Sequence, residues 1–339
     1  MSSLRRLFLA GIAIVAVTAS LFLIRAQSDS APDFPRVQSV ENAKEIVIEV
    51  PKGATGSEIA VLLARAGIVK SSSAFFRVAV SDARSAKIAP GQHRITLQIS
   101  AKQALEQLLD PNRIPNLVRI FEGGWKSEVI ASLEKAGFTK KAIADAFRSL
   151  VLPTGFADSE GLLFPAQYSF SEDTTAAQAL EQIVARFMSD PTATTLLNGS
   201  KEFSGKELLI IASIIQAEGD TKDFQQVSRV IRNRLKIGMP LQMDATINYI
   251  RQVRGEIFVS RSSTRLKSPY NTYQRYGLPR GPIGSPGVAA MEAAMNPAQG
   301  DWLYFITVAP GDTRFTSSFE EFNSWKLIYT KNRKAGAFK

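Results

Sequence analysis

Three observations predict an α+β fold behind an N-terminal membrane-spanning helix. The chain opens with an uncharged apolar run at residues 7–24, a strand-then-helix pattern occurs twice, and apolar helices then precede a late strand. The apolar run follows Arg5 and Arg6 and would form a helix about 27 Å long, close to the thickness of a bilayer core. Its positive flank favours a single pass with the N-terminus inside, which places residues 26–339 outside the cytoplasm. A cleaved signal peptide is the competing reading. Val17-Thr18-Ala19 offers a passable cleavage site, but the apolar residues 21–24 would remain as a stub on the mature chain.

Residues 26–43 are polar, contain proline and lack periodicity, so they read as a linker. Ile46, Ile48 and Val50 then alternate with Glu45 and Glu49, a half-buried strand pattern with Val47 as the exception. Gly53 turns the chain into a helix whose apolar face is Ile59, Leu62, Leu63 and Ala66, with Gly67 at its end. IEVPKGATGSEIAVLLARAGI (48–68) aligns without a gap with VRIFEGGWKSEVIASLEKAGF (118–138), pairing Gly53 with Gly123, Glu58 with Glu128 and Gly67 with Gly137. A duplicated strand–helix module accounts for this; a recurrent local solution to opening and closing a helix is the plainer account. Such small modules bind polysaccharide or act as spacers.

Beyond residue 116, helical patterns (127–136, 139–149, 175–188) surround the compact segment SEGLLFPAQYSF (159–170). KELLIIASIIQAE (206–218) is the longest apolar helix outside the first thirty residues. The following helix sets Val227, Val230, Ile231 and Leu235 on one face, with Arg229, Arg232 and Arg234 away from it and Gly238 past its end. Residues 267–287 hold four of the sixteen prolines and four of the twenty-two glycines, marking an ordered, stiffened loop. WLYFITV (302–308) reads as a buried strand and residues 319–329 as a final helix. The predicted divisions are a cytoplasmic tip and anchor (1–25), the linker (26–43), a small α/β module (44–115), a larger mixed α+β domain (116–330) and a basic tail (331–339).

The chain has 339 residues, one His and no Cys, so disulfides, thiol nucleophiles and multi-histidine metal sites are excluded. No phosphate-binding glycine loop or metal-ligand spacing occurs, and neither cofactor nor metal is expected. The formal net charge of +10 points to an anionic partner. An extracytoplasmic location and the lack of aromatic–basic strands argue against nucleic acid.

Glu218 ends a helix that is apolar almost all round, just before Gly219. Partial burial and the negative end of the helix dipole would both raise its pKa toward a value suited to a general acid. A surface glutamate in a fraying last turn is the alternative. Glu160 reads as a buried anchor or as a cap, and Asp244 as a site carboxylate or as the N-cap of residues 245–250. Gln242 lies beside Asp244, and the loop offers Tyr270, Asn271, Thr272, Tyr273 and Tyr276. Aromatic faces beside amides and hydroxyls suit sugar rings; a loop satisfying its own backbone would use the same residues.

With these residues in view, residues 45–330 resemble the YceG-like endolytic murein transglycosylases. The resemblance lies in VPKG (50–53), EGLLFPAQY (160–168), LLIIASIIQAE (208–218), VIRNRLKIGMPLQMDATINY (230–249), SPYNTYQRYGLPRGPIGSPGVAAMEAAMNPA (268–298) and LYFIT (303–307). It implies an inner-membrane lyase that cuts nascent peptidoglycan strands between N-acetylmuramic acid and N-acetylglucosamine, leaving 1,6-anhydromuramic ends. It also implies a LysM-like module at 44–115 and complexes with wall synthases. The family's catalytic glutamate falls on Glu218, with Glu160, Tyr168, Gln242, Asp244, Tyr270, Asn271, Thr272 and Tyr273 as substrate-binding residues. A non-catalytic, membrane-anchored wall-binding scaffold is the rival reading. This chain departs from the family at Gln216, where a glutamate is common, at Ala166 and Gln167, which replace Asp-Thr, and at Thr313 and Phe322, where histidines are frequent. Membrane fractions are expected to hold the full-length chain; a soluble product beginning at Ser20 would refute the anchor.

Overall fold

A computed structural model describes residues 31–37, 43–171, 173–255 and 259–338. It is a mixed α+β structure with twelve α-helices and three two-stranded sheets among the described residues. The predicted anchor at 7–24 lies outside those residues, and no helix among them is long and apolar enough to cross a membrane. Two compact units divide the chain, one running to residue 115 and including 169–171, the other holding 116–168 and the chain from 172 onward.

The first unit consists of β1 (Glu45–Val50), α1 (Gly56–Arg65), α2 (Ser72–Ser81), β2 (Gly91–Thr96) and α3 (Ala101–Leu109). β1 and β2 pair antiparallel with Glu45 opposite Thr96 and Val50 opposite Gly91. The alternation in β1 sends Ile48 and Val50 into a core with Leu63, Phe75, Ile95 and Leu105, while Val47 stays exposed. Helix α1 opens with a reciprocal cap: the Glu58 N–H donates to Thr55 Oγ1 at 3.3 Å, and the Thr55 N–H donates to Glu58 Oε2 at 2.7 Å. Residues 31–37, read above as linker, are bound to this unit. The Asp33 carboxylate accepts the Ala101 N–H at the start of α3. Gln103 both accepts from the Val37 N–H (3.0 Å) and donates to its carbonyl (2.8 Å).

The second unit begins with the same order of elements: β3 (Leu117–Ile120), α4 (Lys126–Lys135), α5 (Lys140–Ser149) and β4 (Ala166–Ser169), with β4 paired to β3. The two aligned segments share their backbone geometry. Gly53 and Gly123 have φ of +80° and +74°, and Gly67 and Gly137 have φ of +71° and +97°. Ile68 and Phe138 then donate to the carbonyls of Leu63 and Leu133, closing both helices by the same turn. Duplication of local structure is therefore real in the fold.

Helices α6 (Ala176–Ser189), α7 (Pro191–Leu197), α8 (Gly205–Glu218), α9 (Phe224–Lys236), α10 (Asp244–Arg251) and α11 (Val288–Met295) follow, then β5 (Tyr304–Ala309), β6 (Asp312–Thr316) and α12 (Phe319–Lys334). Helix α8 runs through the middle, buried from Leu208 to Ile215 and packed by α7, α9, α10 and α11. A side chain at Gly205 would meet the Leu197 carbonyl at 2.1 Å, so only glycine lets α7 approach the start of α8. The arginines of α9 are expected away from its apolar face, but Arg234, seven residues after Val227, lies buried on it, and all three reach backbone carbonyls. Arg229 donates to the Ala298 carbonyl and Arg232 to that of Ala294, while the buried Arg234 donates to those of Leu303 and Leu241. Each satisfies a chain end or loop that helix packing leaves unpaired. The strand expected at 302–308 lies at 304–309 and is mostly half-buried. Its partners are aromatic: Phe305 stacks on Phe315 of β6, and Tyr304 on Phe322 of α12.

His93 is fully buried in β2, with Nε2 2.7 Å from the Ala89 carbonyl and no partner for Nδ1 among the described residues. Burial holds its pKa below the ordinary 6.5, against the opposing hydrogen bond. The neutral ring's contribution is thus complete above about pH 6.5 and is lost as pH falls through the lower folded pKa. Hydrogen exchange at the β1–β2 amides should show opening that grows easier on acidification below pH 6.5. In His93→Asn this dependence should vanish; an unchanged slope would assign it to another group.

Candidate active site

Glu218 is the last residue of α8, and Gly219 continues in extended conformation. Its Oε1 accepts the Ala245 N–H at 2.9 Å, so the C-terminal end of α8 meets the N-terminal turn of α10 at the carboxyl. Burial pushes the Glu218 pKa up to about 7. The Ala245 N–H opposes the rise, the neighbouring Asp244 carboxyl adds to it, and Arg234 offsets it. Burial is therefore the leading cause, and the facing N-terminus of α10 works against the dipole effect expected from α8. Among the described residues nothing hydrogen-bonds Oε2. The residue keeps partial exposure on an open pocket of about 550 Å³, whose walls include Asp220, Thr307, Pro310 and Phe338.

Asp244 starts α10 without capping it; Met243 holds the cap position. Its Oδ1 instead accepts the Tyr273 hydroxyl. Burial raises the Asp244 pKa while that hydrogen bond lowers it, and burial with the Asp244 contact keeps the Tyr273 proton in place as donor. Asn271 and Thr272 are buried and hold the loop in shape. Asn271 Nδ2 donates to the carbonyls of Thr264 (3.1 Å) and Leu266 (2.7 Å), and its Oδ1 accepts the Tyr273 N–H at 2.9 Å. Thr272 Oγ1 accepts the Met243 N–H at 2.9 Å, and its carbonyl accepts the Gln242 N–H at 3.1 Å. Gln242 stands in the left-handed region (φ 50°) with its side chain exposed. The loop thus reaches the carboxyls through Tyr273 and fastens α10 through Thr272.

Glu160 belongs to a second cluster. It is 4% exposed, accepts the Lys126 N–H at 3.1 and 3.3 Å at the start of α4, and accepts the Tyr249 hydroxyl at 2.9 Å. Burial lifts its pKa to about 7 against both hydrogen bonds. Tyr270 packs here, 5.0 Å from Tyr249, whose ring also meets the edge of Trp125 at 6.0 Å. The neighbouring Gly161 (φ +85°) has no room for a side chain, because Pro282 would lie 2.6 Å from it. Tyr168 stands in β4 and donates to the Phe164 carbonyl at 2.8 Å. The structure therefore gathers Glu218, Asp244 and Tyr273 around the first turn of α10, and Glu160 and Tyr270 around Tyr249 in its last turns. Sequence reasoning missed Tyr249, the Ala245 N–H and Arg234. Tyr249 was the findable one, since it lies four residues after Ala245 on the same helix.

Three of the positions that depart from the family pattern, Gln216, Thr313 and Phe322, have structural partners. Gln216 Oε1 accepts the Gly287 N–H at 2.9 Å, just ahead of α11. Thr313 pairs with Thr307 across the β5–β6 hairpin at 3.0 Å, and Phe322 stacks on Tyr304. Among the described residues no group of three or more metal-ligating side chains stands together.

The site is a buried carboxyl held at one oxygen by the Ala245 N–H, with the Asp244 carboxyl beside it and an open pocket before it, at the meeting of two helix ends. The YceG-like family matches residues 48–326, and the chain belongs to that family. It is 29% identical over 314 residues to the endolytic murein transglycosylase of Bacillus subtilis (strain 168), covering 85% of this chain and 86% of that one. The Streptococcus pneumoniae (serotype 2, strain D39) protein of the same name is 27% identical over 316 residues, and the match spans 57% of its longer chain. A solved yceG-like protein from Listeria monocytogenes shares the fold, with a TM-score of 0.53 at 24% identity over 84% of this chain and 99% of that one.

Glu160 carries a pH signature of its own. With a folded pKa raised from 4.5 to about 7, its contribution is complete below pH 4.5 and is lost as pH rises through 7, by about 3 kcal/mol. Denaturant unfolding followed by Trp125, Trp302 and Trp325, all in the second unit, should show that decline. Glu160→Gln should flatten it by about that amount; a slope identical to wild type would show that Glu160 does not hold its proton in the fold.

Proposed function

We propose that this chain is an endolytic murein transglycosylase that cleaves peptidoglycan strands between N-acetylmuramic acid and N-acetylglucosamine. The observation that supports it most is Glu218: a carboxyl whose pKa near 7 leaves it substantially protonated at neutral pH, with Oε1 fixed by Ala245 and the residue lining an open pocket. One such group is enough for a lytic reaction. Glu218 donates its proton to the glycosidic oxygen as the C1–O bond breaks, and the carboxylate then takes the proton of the muramoyl C6 hydroxyl as that oxygen bonds to C1. A 1,6-anhydro ring forms, the leaving sugar carries the donated proton, and Glu218 ends as it began. No water is consumed. Ordinary glycoside hydrolysis calls for a second carboxylate to activate water or act as nucleophile. Here the nucleophile belongs to the substrate.

Burial keeps the proton on Glu218, Asp244 adds to this by like-charge repulsion, and Tyr273 holds Asp244 in place. Gln242, exposed beside α10, and Tyr273 are the residues proposed to meet the sugar. Glu160, Asn271 and Thr272 act by holding α10 and its loop, while Tyr168 and Tyr270 complete the surrounding frame. In the same reading, residues 7–24 anchor the chain in the inner membrane, residues 44–115 form a LysM-like module that binds glycan, and wall synthases are its partners. The +10 charge suits a wall polymer with free peptide carboxylates beside an anionic membrane.

Purified glycan strands digested with the full chain should yield 1,6-anhydromuramic ends by mass spectrometry. Glu218→Gln should slow release by roughly 10³-fold, in the range lost with a general acid. The rate should fall tenfold per pH unit above about 7, where Glu218 loses its proton. Reducing muramic ends would make the enzyme a hydrolase, and undiminished cleavage by Glu218→Gln would remove this mechanism.

A further inference from the structure

The pocket at Glu218 has a wall that the family match does not include. Its floor is the end of α8 and the residues after it, Ala217, Glu218, Gly219 and Asp220. One side is the β5–β6 hairpin, through Thr307, Pro310 and Gly311. The third is the C-terminal tail, through Ala337 and Phe338, whereas the family match ends at residue 326. The tail is folded back in a defined way. Helix α12 continues to Lys334, so residues 331–334, read above as tail, are helical. Gly336 (φ +81°) turns the chain, and the Ala337 N–H donates to the Asn332 carbonyl at 3.1 Å. Asn332 Nδ2 in turn donates to the Val308 carbonyl at 2.9 Å, tying the end of α12 to β5. The Phe338 ring meets that of Tyr329 edge-on at 5.4 Å, which fixes its position. The hairpin turn is fastened as well, because Lys222 donates to the Gly311 carbonyl.

We propose that this folded-back tail, through Phe338, is the apolar wall of the sugar subsite beside Glu218 and sets affinity for the ring bound there. The pocket's composition carries the argument. Phe338, Ala337 and Pro310 present apolar surface, while Glu218, Asp220 and Thr307 present directed polar groups. A pyranose ring has the matching character, an apolar face with hydroxyls around its edge, and the reactive carboxyl lines the same space. The identity of the sugar as part of a murein strand rests on the proposed function; the subsite itself rests on the pocket.

The test separates the two. Phe338→Ala in the full chain should raise KM for glycan strands roughly fivefold to tenfold with kcat changed less than about twofold. The alkaline limb of the pH profile should stay in place, and Phe338→Trp should restore KM. Truncation after Lys334 should reproduce Phe338→Ala. In a Glu218→Gln background, slowed roughly 10³-fold, affinity for glycan oligosaccharides measured by calorimetry should fall by the same factor when Phe338→Ala is added. If KM and affinity are unmoved, or if truncation speeds cleavage, the tail is not a sugar wall; the second result would make it a lid. If the wild type releases no anhydro ends but Glu218→Gln binds glycan in a Phe338-dependent way, the proposed reaction fails and the subsite stands. Absence of glycan binding altogether overturns the subsite.

Discussion

The hydrogen bond from the Ala245 N–H to Glu218 Oε1 is the junction on which the second unit depends. It joins the end of α8, a helix too deeply packed to shift, to the start of α10, a helix of eight residues that cannot hold its own position. Short helices need tertiary support, and α10 has it at both ends. Thr272 takes up the Met243 N–H and meets the Thr246 hydroxyl at the first turn, while Glu160 accepts from Tyr249 near the last. The apolar packing of α8 thus sets where the carboxyl is, and the polar bonds around α10 set which of its oxygens is free.

Two carboxyls in this unit hold their protons near neutrality, for the same leading reason and with different results. Glu160 is shut away and both of its oxygens accept hydrogen bonds, so its proton serves the fold. Glu218 has one oxygen engaged and a pocket before it, and its proton is the one the proposed reaction transfers. Raising pH through 7 removes both protons and weakens the second unit. The buried imidazole of His93 gives the first unit the opposite slope, since acidification charges a ring with an unpaired nitrogen. The two units therefore respond to pH in opposite directions.

What the sequence made legible was local. The largely apolar run at 206–218, its abrupt end at Gly219 and the paired glycines of the two strand–helix segments each follow from neighbours a few residues apart, and the structure has them. The bonds that turn Glu218 into a site span 27 residues to Ala245, 29 from Tyr273 to Asp244 and 89 from Tyr249 to Glu160. Periodicity carries no information about such pairings. The same limit explains the arginines of α9: the spacing did not show that backbone carbonyls would receive them, and Arg234, seven residues after Val227, is buried on that residue's own face rather than away from it. Asp244 illustrates a further ambiguity. An acid at a helix start reads as a cap, and only the position of Tyr273 shows that its side chain is used elsewhere.

The repeated strand–helix–helix–strand order suggests how support for α10 arose. In the first unit, residues 82–90 connect the second helix to the return strand by a short path through one 3₁₀ turn. In the second, residues 150–165 make the same connection and contain SEGLLFP. The strands and helices alone would serve as a small self-contained frame. The longer excursion adds Glu160, which caps the N-terminus of α4 through Lys126 and reaches Tyr249 with the same carboxyl. One side chain thereby binds the duplicated frame to the helix that positions Glu218. In Glu160→Gln the amide oxygen can still accept the Lys126 N–H while the amide NH2 donates to the Tyr249 hydroxyl, which would preserve this bracing. A change to Ala would leave the Lys126 N–H and the Tyr249 hydroxyl without their acceptor, at about 1–3 kcal/mol for each buried group. Loosening α10 in that way would reach the reaction through Ala245, with no contact to substrate required.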